Sequence, residues 1–276
     1  MARVQAALLG WYAREARDLP WRRTRDPYAI LVAEIMLQQT QVDRVLPRWR
    51  AWLDRFPTLA DLAAASRADA IRAWQGLGYN RRAARLHAIA CQVMTDYAGE
   101  LPRSVEELMG LEGIGRYTAG AVACFAYEQP VSMVDTNIRR VLSRVFAVEA
   151  ADVESVAAAV VPPEAAYAWN QALMDLGASL CRSQRPLCLV CPLLAVCDGP
   201  RGSQSRARAA QPEFKGSARF YRGRILDALR QIPPGETIAL DELAERVDNR
   251  RELIFRLASE GLVHVDDAQA RVRLAE

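Results

Sequence analysis

Four cysteines fall within 17 residues, as Cys181-x6-Cys188-x2-Cys191-x5-Cys197. Thiols this dense, in a chain whose amino-terminal stretch reads as an amphipathic helix and not an export signal, point to metal binding rather than to disulfides. Four sulfur ligands suit zinc or an iron–sulfur centre. Structural zinc commonly draws on two close pairs, and this run holds only one, Cys188 with Cys191. Cys91 and Cys124 lie in apolar helical segments and read as small buried hydrophobes.

Two carboxylates are also placed for chemistry. Glu34 sits inside YAILVAEIMLQQ, with Ile30, Leu31, Met36 and Leu37 around it. Burial there would favour the neutral acid and raise its pKa, which is what a general acid needs. Asp135, in VSMVDTNIRRVLSR, stands where an apolar run meets a new helix. Taken alone it is an N-cap, kept ionised by the helix start. Two carboxylates in unlike surroundings can divide proton donation and cation stabilisation between them.

These residues need a scaffold. Residues 1–200 read as successive helices broken at Pro57-Thr58, Leu101-Pro102 and Pro162-Pro163, with almost no strand signal. Thr58 and Ser104 look like N-caps, and Ser104 with Glu107 forms a capping box. In LEGIGRYTAGAV, residues 111–122, a helix ending near Met109 meets Gly113-Ile114-Gly115, a tight turn into the next helix. Its glycines and free N–H groups would let a phosphate approach. Residues 198–218 are polar and basic, a linker. Beyond them, RFYRGRILDALRQI, LDELAERV and NRRELIFRLASEGL read as three helices, the last closed by Gly261. LVHVDD and ARVRLAE alternate as two strands, completing a winged-helix pattern. The net charge, +3 from 36 basic and 33 acidic residues, is too small to argue for nucleic acid alone. Lys215 is the only lysine. No apolar run is long enough for a membrane span, and a cytoplasmic protein is expected.

The glycine hairpin followed by the cysteine run resembles the helix-hairpin-helix DNA glycosylases of the endonuclease III and MutY kind, over roughly residues 5–198. The resemblance implies a mainly α fold: a cluster domain (1–21 with 132–198), a six-helix barrel domain carrying the hairpin (22–131), a linker (199–218) and a small winged-helix-like α+β unit (219–276). It implies one [4Fe-4S] cluster on Cys181, Cys188, Cys191 and Cys197, with a structural role. Such enzymes turn the target nucleotide out of the duplex. AEIMLQQTQV, residues 33–42, is similar to the MutY segment facing the lesion pair, which implies that Leu37, Gln38, Gln39 and Thr40 lie beside the bases. GLGYNRRA, residues 76–83, is similar to the second DNA-facing turn, where Tyr79 would stack or wedge beside the opposite base. Gly113, Gly115 and Arg22 complete the expected DNA contacts.

The same resemblance assigns chemistry. Glu34 matches the MutY glutamate that protonates adenine at N7 and later helps activate water. Asp135, in V-D-T-N-x-x-R-V, would support the oxocarbenium ion, by charge or through a transient covalent bond. Asn137 would orient water or a carboxylate. Tyr117 stands where bifunctional members carry a Schiff-base lysine, which implies a monofunctional enzyme without significant β-lyase activity. The expected reaction is removal of adenine mispaired with 8-oxoguanine or guanine, in base excision repair. The expected partner is double-stranded DNA with a mismatch or oxidised guanine, bound by a monomer that associates with the nucleoid through DNA. One departure stands out. MutY enzymes typically carry a Nudix-like domain that checks for 8-oxoguanine, and this tail instead resembles that of short actinobacterial relatives. The check would then pass to Gln39, Thr40 and Tyr79, pass to the tail, or relax toward G·A. A thymine or uracil mismatch glycosylase is the alternative enzyme, since tyrosine occurs at the hairpin there too. A non-catalytic DNA-binding or redox-sensing regulator is the alternative of another class; the presence of both carboxylates argues against it.

Overall fold

Apolar residues at helical spacing, punctuated by proline and by Ser, Thr and Asp caps, give a succession of helices in the computed structural model, which describes residues 1–199, 213–266 and 268–276. In chain order these are α1 (Ala2–Glu15), α2 (Pro27–Leu37), α3 (Val42–Arg55), α4 (Leu59–Ala64), α5 (Arg67–Ala73), α6 (Arg81–Asp96), α7 (Val105–Met109), α8 (Arg116–Tyr127), α9 (Thr136–Val145), α10 (Val153–Val160) and α11 (Ala166–Ser179). After them come α12 (Ala218–Arg230), β1 (Ile238–Ala239), α13 (Leu240–Glu245), α14 (Arg251–Ser259), β2 (Val263–Asp266) and β3 (Arg271–Leu274). No strand occurs among residues 1–199. No helix among the described residues is long and apolar enough to cross a membrane.

Both expected N-caps form, and the box expected at Ser104 with Glu107 is made only in part. The Ser104 hydroxyl accepts from Glu107 N–H at 3.2 Å and donates to the Glu107 carboxylate at 2.7 Å. The reciprocal box forms at Thr58: its hydroxyl accepts from Asp61 N–H at 3.1 Å, and the Asp61 carboxylate accepts from Thr58 N–H at 3.0 Å. Each satisfies donors that a helix start leaves over.

The chain divides into two units. The first comprises residues 1–31, 102–110 and, among those described, 114–199. Its centre is α11, which packs on α1, α8 and α9. Leu8, Val141, Leu142, Trp169, Leu173 and Leu176 form part of its core. On α11, Asp175 is 1% exposed and accepts from both terminal nitrogens of Arg22, each at 2.8 Å, and from Arg17 Nε at 2.6 Å. Burial pushes this carboxyl up; the Arg22 hydrogen bonds and the Arg22 and Arg17 charges outweigh it and hold Asp175 below the usual carboxylate range.

The second unit comprises residues 32–101 and 111–113 together with the described residues from 213 onward. Helices α4 and α5 pack on α6, and α3 on α5. Trp52 meets Phe56 and Trp74 edge-on, at ring separations of 5.0 and 5.3 Å, the arrangement aromatic quadrupoles favour. The carboxy-terminal elements build a three-stranded antiparallel sheet in the order β1-β3-β2, with Ile238 paired to Val272 and Val265 to the same residue from the other side. With α12, α13 and α14 this is a winged-helix arrangement. It adds one strand, β1, to the expected pattern; two residues are too short to show alternation. Residues 200–212 of the expected linker lie outside the described residues. Phe214, Lys215 and Gly216 form an exposed turn, and Ser217 caps α12. The module is joined to the helices before it: Arg230 donates to Ile71 O at 3.1 Å and to Asn80 Oδ1 at 2.7 Å, and Arg72 donates to Ile232 O at 3.4 Å.

Candidate active site

Helix α2 is apolar around its whole circumference, so a carboxyl group within it has little access to water. Val32, Ala33, Ile35 and Met36 are buried, and Glu34 between them is 4% exposed. The helix ends at Leu37; Gln39 then takes a left-handed backbone conformation with φ 57°, and Thr40 N–H returns to Leu37 O at 3.2 Å.

The end of α2 leaves carbonyls without intrahelical donors. Arg82, from α6, supplies donors. Its Nη1 donates to Ile35 O and Met36 O, both at 2.9 Å, and to Gln38 O at 2.6 Å. Its Nη2 donates to Thr40 Oγ1 at 3.0 Å, Leu77 O at 3.2 Å and Gly78 O at 3.1 Å. One guanidinium therefore fixes both the Gln38–Thr40 segment and the Gly78–Tyr79 turn. A cation at a helix carboxy-terminus is also favoured by the helix dipole. Burial lowers Arg82 to about 10, against the opposing effect of Tyr79, so it still carries its charge at neutral pH. It lies over the Trp74 and Tyr79 rings at 5.3 and 5.4 Å. Tyr79 itself is 54% exposed with φ 46°, and Trp74 Nε1 donates to Gly78 O at 3.0 Å. Leu37 to Thr40 thus lie at a helix end and Tyr79 in a turn, as their sequence suggests, and Arg82, which organises them, has no comparable sequence signal.

The hairpin turn follows α7 and leads into α8. Gly113 has φ 69°, a left-handed conformation that favours glycine, and a Cβ there would lie 2.2 Å from Arg85 Nε, so the Arg85 side chain would have to move. Gly115 is the N-cap of α8, with no atom within 4 Å of where its Cβ would be.

In the first unit, Asp135 caps α9. Its Oδ1 accepts from Asn137 N–H at 2.9 Å and Ile138 N–H at 2.6 Å, and its Oδ2 from Asn137 Nδ2 at 3.0 Å. The other end of the Asn137 amide, Oδ1, accepts from Arg140 Nη2 at 2.8 Å. Arg140 also donates to Gly177 O at 2.7 Å and, through Nε, to Cys181 O at 2.8 Å. A Cβ on Gly177 would stand 2.8 Å from Asn137 Cβ, so glycine lets α11 come this close to the start of α9. Arg144 donates to Arg182 O at 2.7 Å and to the Cys181 sulfur at 3.4 Å. A continuous chain of contacts thus runs from the Asp135 carboxylate through Asn137 and Arg140 to the first cysteine. Tyr117, on α8, directs its hydroxyl to the Met174 sulfur at 3.9 Å. Arg22 turns its guanidinium to Asp175, with 7% of its side chain exposed.

Cys181, Cys188, Cys191 and Cys197 line one cavity, walled otherwise by Leu176, Leu180, Leu193 and other apolar groups, with Arg144 at its side. Burial pushes the Cys191 and Cys197 thiols up. No three His, Cys, Asp or Glu side chains among the described residues converge as ligands of a single ion. Four thiols spread around an apolar cavity suit a group larger than one ion. Cys124 is separate: it is buried, accepts from Asn170 Nδ2 at 3.4 Å and is pushed up by burial to about 11, the profile of an inert thiol.

Residues 32–163 match the HhH-GPD superfamily of base excision DNA repair proteins. The chain belongs to this superfamily and, within it, to the family whose curated members carry the name adenine DNA glycosylase. It is 46% identical to the adenine DNA glycosylase of Mycolicibacterium smegmatis, over 97% of this chain and 94% of that one. Among solved structures it is similar to a thermostable thymine-DNA glycosylase, with a TM-score of 0.67, 30% identity, and coverage of 71% of this chain and 95% of that one. It is likewise similar to an endonuclease III trapped as a covalent intermediate with DNA, with a TM-score of 0.62, 25% identity, and coverage of 71% and 95%. The mainly helical glycosylase fold expected from the sequence, with small carboxy-terminal strands, is the fold of this chain.

Proposed function

We propose that the chain is a monofunctional DNA glycosylase of base excision repair that hydrolyses the N-glycosidic bond of adenine mispaired with 8-oxoguanine or guanine. One observation carries this reading: Glu34, 4% exposed, lies one turn before the amide-bearing Gln38-Gln39 end of its own helix. A carboxyl group kept from water favours its proton-carrying form, and that proton is what a departing purine requires. Membership of the adenine DNA glycosylase family supports adenine as that purine.

Asp135 takes the complementary role. Three N–H donors hold its carboxylate, and it stabilises positive charge on the sugar as the base departs. Asn137, bonded to both Asp135 and Arg140, orients that carboxylate. Gln38, Gln39 and Tyr79 read the bases, with amides that both donate and accept and an exposed ring that can stack. The backbone at Gly113 and Gly115 receives a phosphate. Tyr117 presents a phenol where strand cleavage would need an amine, which supports base removal without β-lyase chemistry. Cys181, Cys188, Cys191 and Cys197 would hold a [4Fe-4S] cluster, which when bound braces the loop between them. Arg144 beside the sulfurs offsets the negative charge of such a group.

The test is a panel of duplexes carrying A·8-oxoG, A·G, T·G and U·G. Adenine release is expected from the first two; release of only thymine or uracil would overturn the reading. Glu34→Gln should lower single-turnover adenine release by roughly 10²–10⁴-fold while DNA binding persists. Borohydride should trap no adduct comparable to that of a lysine-bearing enzyme.

A further inference from the structure

The second unit contains a cleft of about 830 Å³, of which the roles above use only the side formed by Gln38, Gln39 and Tyr79. One wall comes from the turn carrying Tyr79 and from Gln38 and Gln39. The other comes from Phe214, in the turn that leads into the winged-helix module, and from α12 of that module. Seven arginines line it against a single carboxylate, that of Asp227. Some of this charge is already committed. Arg82 and Arg230 are turned to backbone carbonyls, and Arg222 is paired with Glu260 at 2.5 Å. Arg44 donates to Gly76 O at 2.5 Å, and Arg44, Arg81 and Arg219 are all exposed in the lining. Arg85, also in the lining, packs against Gly113 of the hairpin, so the cleft runs on to the backbone expected to receive phosphate. Phe214, in the same lining as Tyr79, is 58% exposed, with Arg219 over its ring at 5.4 Å.

An excess of arginine beside exposed aromatic rings is the chemistry that holds a nucleic-acid strand: cations meet phosphates, and rings meet bases. A cleft for an apolar or acidic small molecule would not need two exposed rings in its lining. We infer that the winged-helix module is part of the DNA-binding surface, and that Arg219 and Phe214 hold the sugar–phosphate backbone of a DNA strand against the Gln39–Tyr79 side of the barrel. The inference rests on the DNA glycosylase reading for its partner and reaches beyond it in assigning a role to the carboxy-terminal module. The module then supplies affinity from the side where the bases are read, through contacts that sequence outside the mispair does not alter.

The experiment measures binding of the full chain to a fluorescent duplex carrying an A·G mismatch across a salt series. Wild type is compared with Arg219→Ala, Phe214→Ala and Arg246→Ala. Arg246 is paired with Glu242 on α13 and does not line the cleft. Arg219→Ala should weaken binding by roughly tenfold and reduce the slope of log affinity against log salt by about one. Phe214→Ala should weaken binding with little change in slope, and Arg246→Ala should follow wild type. Thermal unfolding of each variant checks that the module remains folded. Wild-type affinity and slope in a folded Arg219→Ala protein would overturn the inference, as it would if the cleft received a protein instead. Adenine release is scored separately. Loss of the slope change with adenine release intact removes the cleft assignment alone; the slope change without base release from any duplex removes the enzymatic reading alone.

Discussion

The two units fix their functional loops by different electrostatics. In the first, a carboxylate is the hub: Asp175 gathers Arg17 and Arg22, and Asp135 gathers the donors at the start of α9. In the second, an arginine is the hub, and its hydrogen-bond acceptors are neutral carbonyls and one hydroxyl. A carboxylate hub titrates in acid; a carbonyl does not. A buried ion pair gains from mutual charge but must offset two desolvations, whereas Arg82 brings one charge into place and answers it with helix-end dipoles. Acid should therefore weaken the first unit while leaving the Gln38–Tyr79 region intact, and loss of one arginine should do the reverse.

The largest expected effect comes from Arg82. Arg82→Met leaves buried carbonyl oxygens without donors and should lower stability by about 3–5 kcal/mol, with faster hydrogen exchange at the Gln38–Thr40 and Leu77–Tyr79 amides. Arg82→Lys should recover less than half, because an ammonium cannot span both loops. Urea unfolding measures this, and a loss below about 1 kcal/mol for Arg82→Met would break the comparison. Asp175→Asn comes next, at about 3 kcal/mol, because it leaves Arg22 charged and buried. Its pH signature follows from the lowered carboxyl. The stability Asp175 contributes is complete above the ordinary aspartate value of about 4 and is lost as pH falls from there through its lower folded value. Unfolding followed over about pH 2 to 6, the span of carboxylate titration, should therefore depend less steeply on pH in Asp175→Asn than in wild type. Equal steepness would place the acid-labile contact elsewhere. The smallest effects belong to the caps. Thr58→Ala in the second unit should cost about 1 kcal/mol, and Ser104→Ala in the first about half of that, since only Thr58 forms the reciprocal box with the backbone.

Much of the site was legible because it depends on local pattern. The burial of Glu34 follows from apolar neighbours on every side of one helix. The capping geometry of Asp135 follows from an aspartate between an extended run and a helix. The hairpin follows from two glycines, and the shared cavity of the four cysteines from their spacing. Arg82 and Arg140 were not legible. Each lies in a helix rich in other arginines, where a guanidinium reads as part of a solvated face. Only the approach of distant carbonyls, from residues 35–38 for Arg82 and from residues 177 and 181 for Arg140, gives them their function. Arg22 shows the converse. By residue type it suits a phosphate, and the partner that claims it, Asp175, is 153 residues away in the chain. The sheet was legible in β2 and β3, whose side chains alternate, and not in β1, whose two residues are defined by pairing with β3.

Lys215 has a consequence of another kind. It is the chain's single lysine, and it lies in the exposed turn between Phe214 and α12. A lysine-directed protease therefore has one peptide bond to cut, Lys215–Gly216. That cut would leave Phe214 on one fragment and Arg219 on the other, without altering a side chain. The fragments would then be held by Arg230 on Ile71 and Asn80, by Arg72 on Ile232 and by the packing of β3 on α5. One limited digestion would thus divide a wall of the arginine-lined cleft between two fragments joined by these contacts.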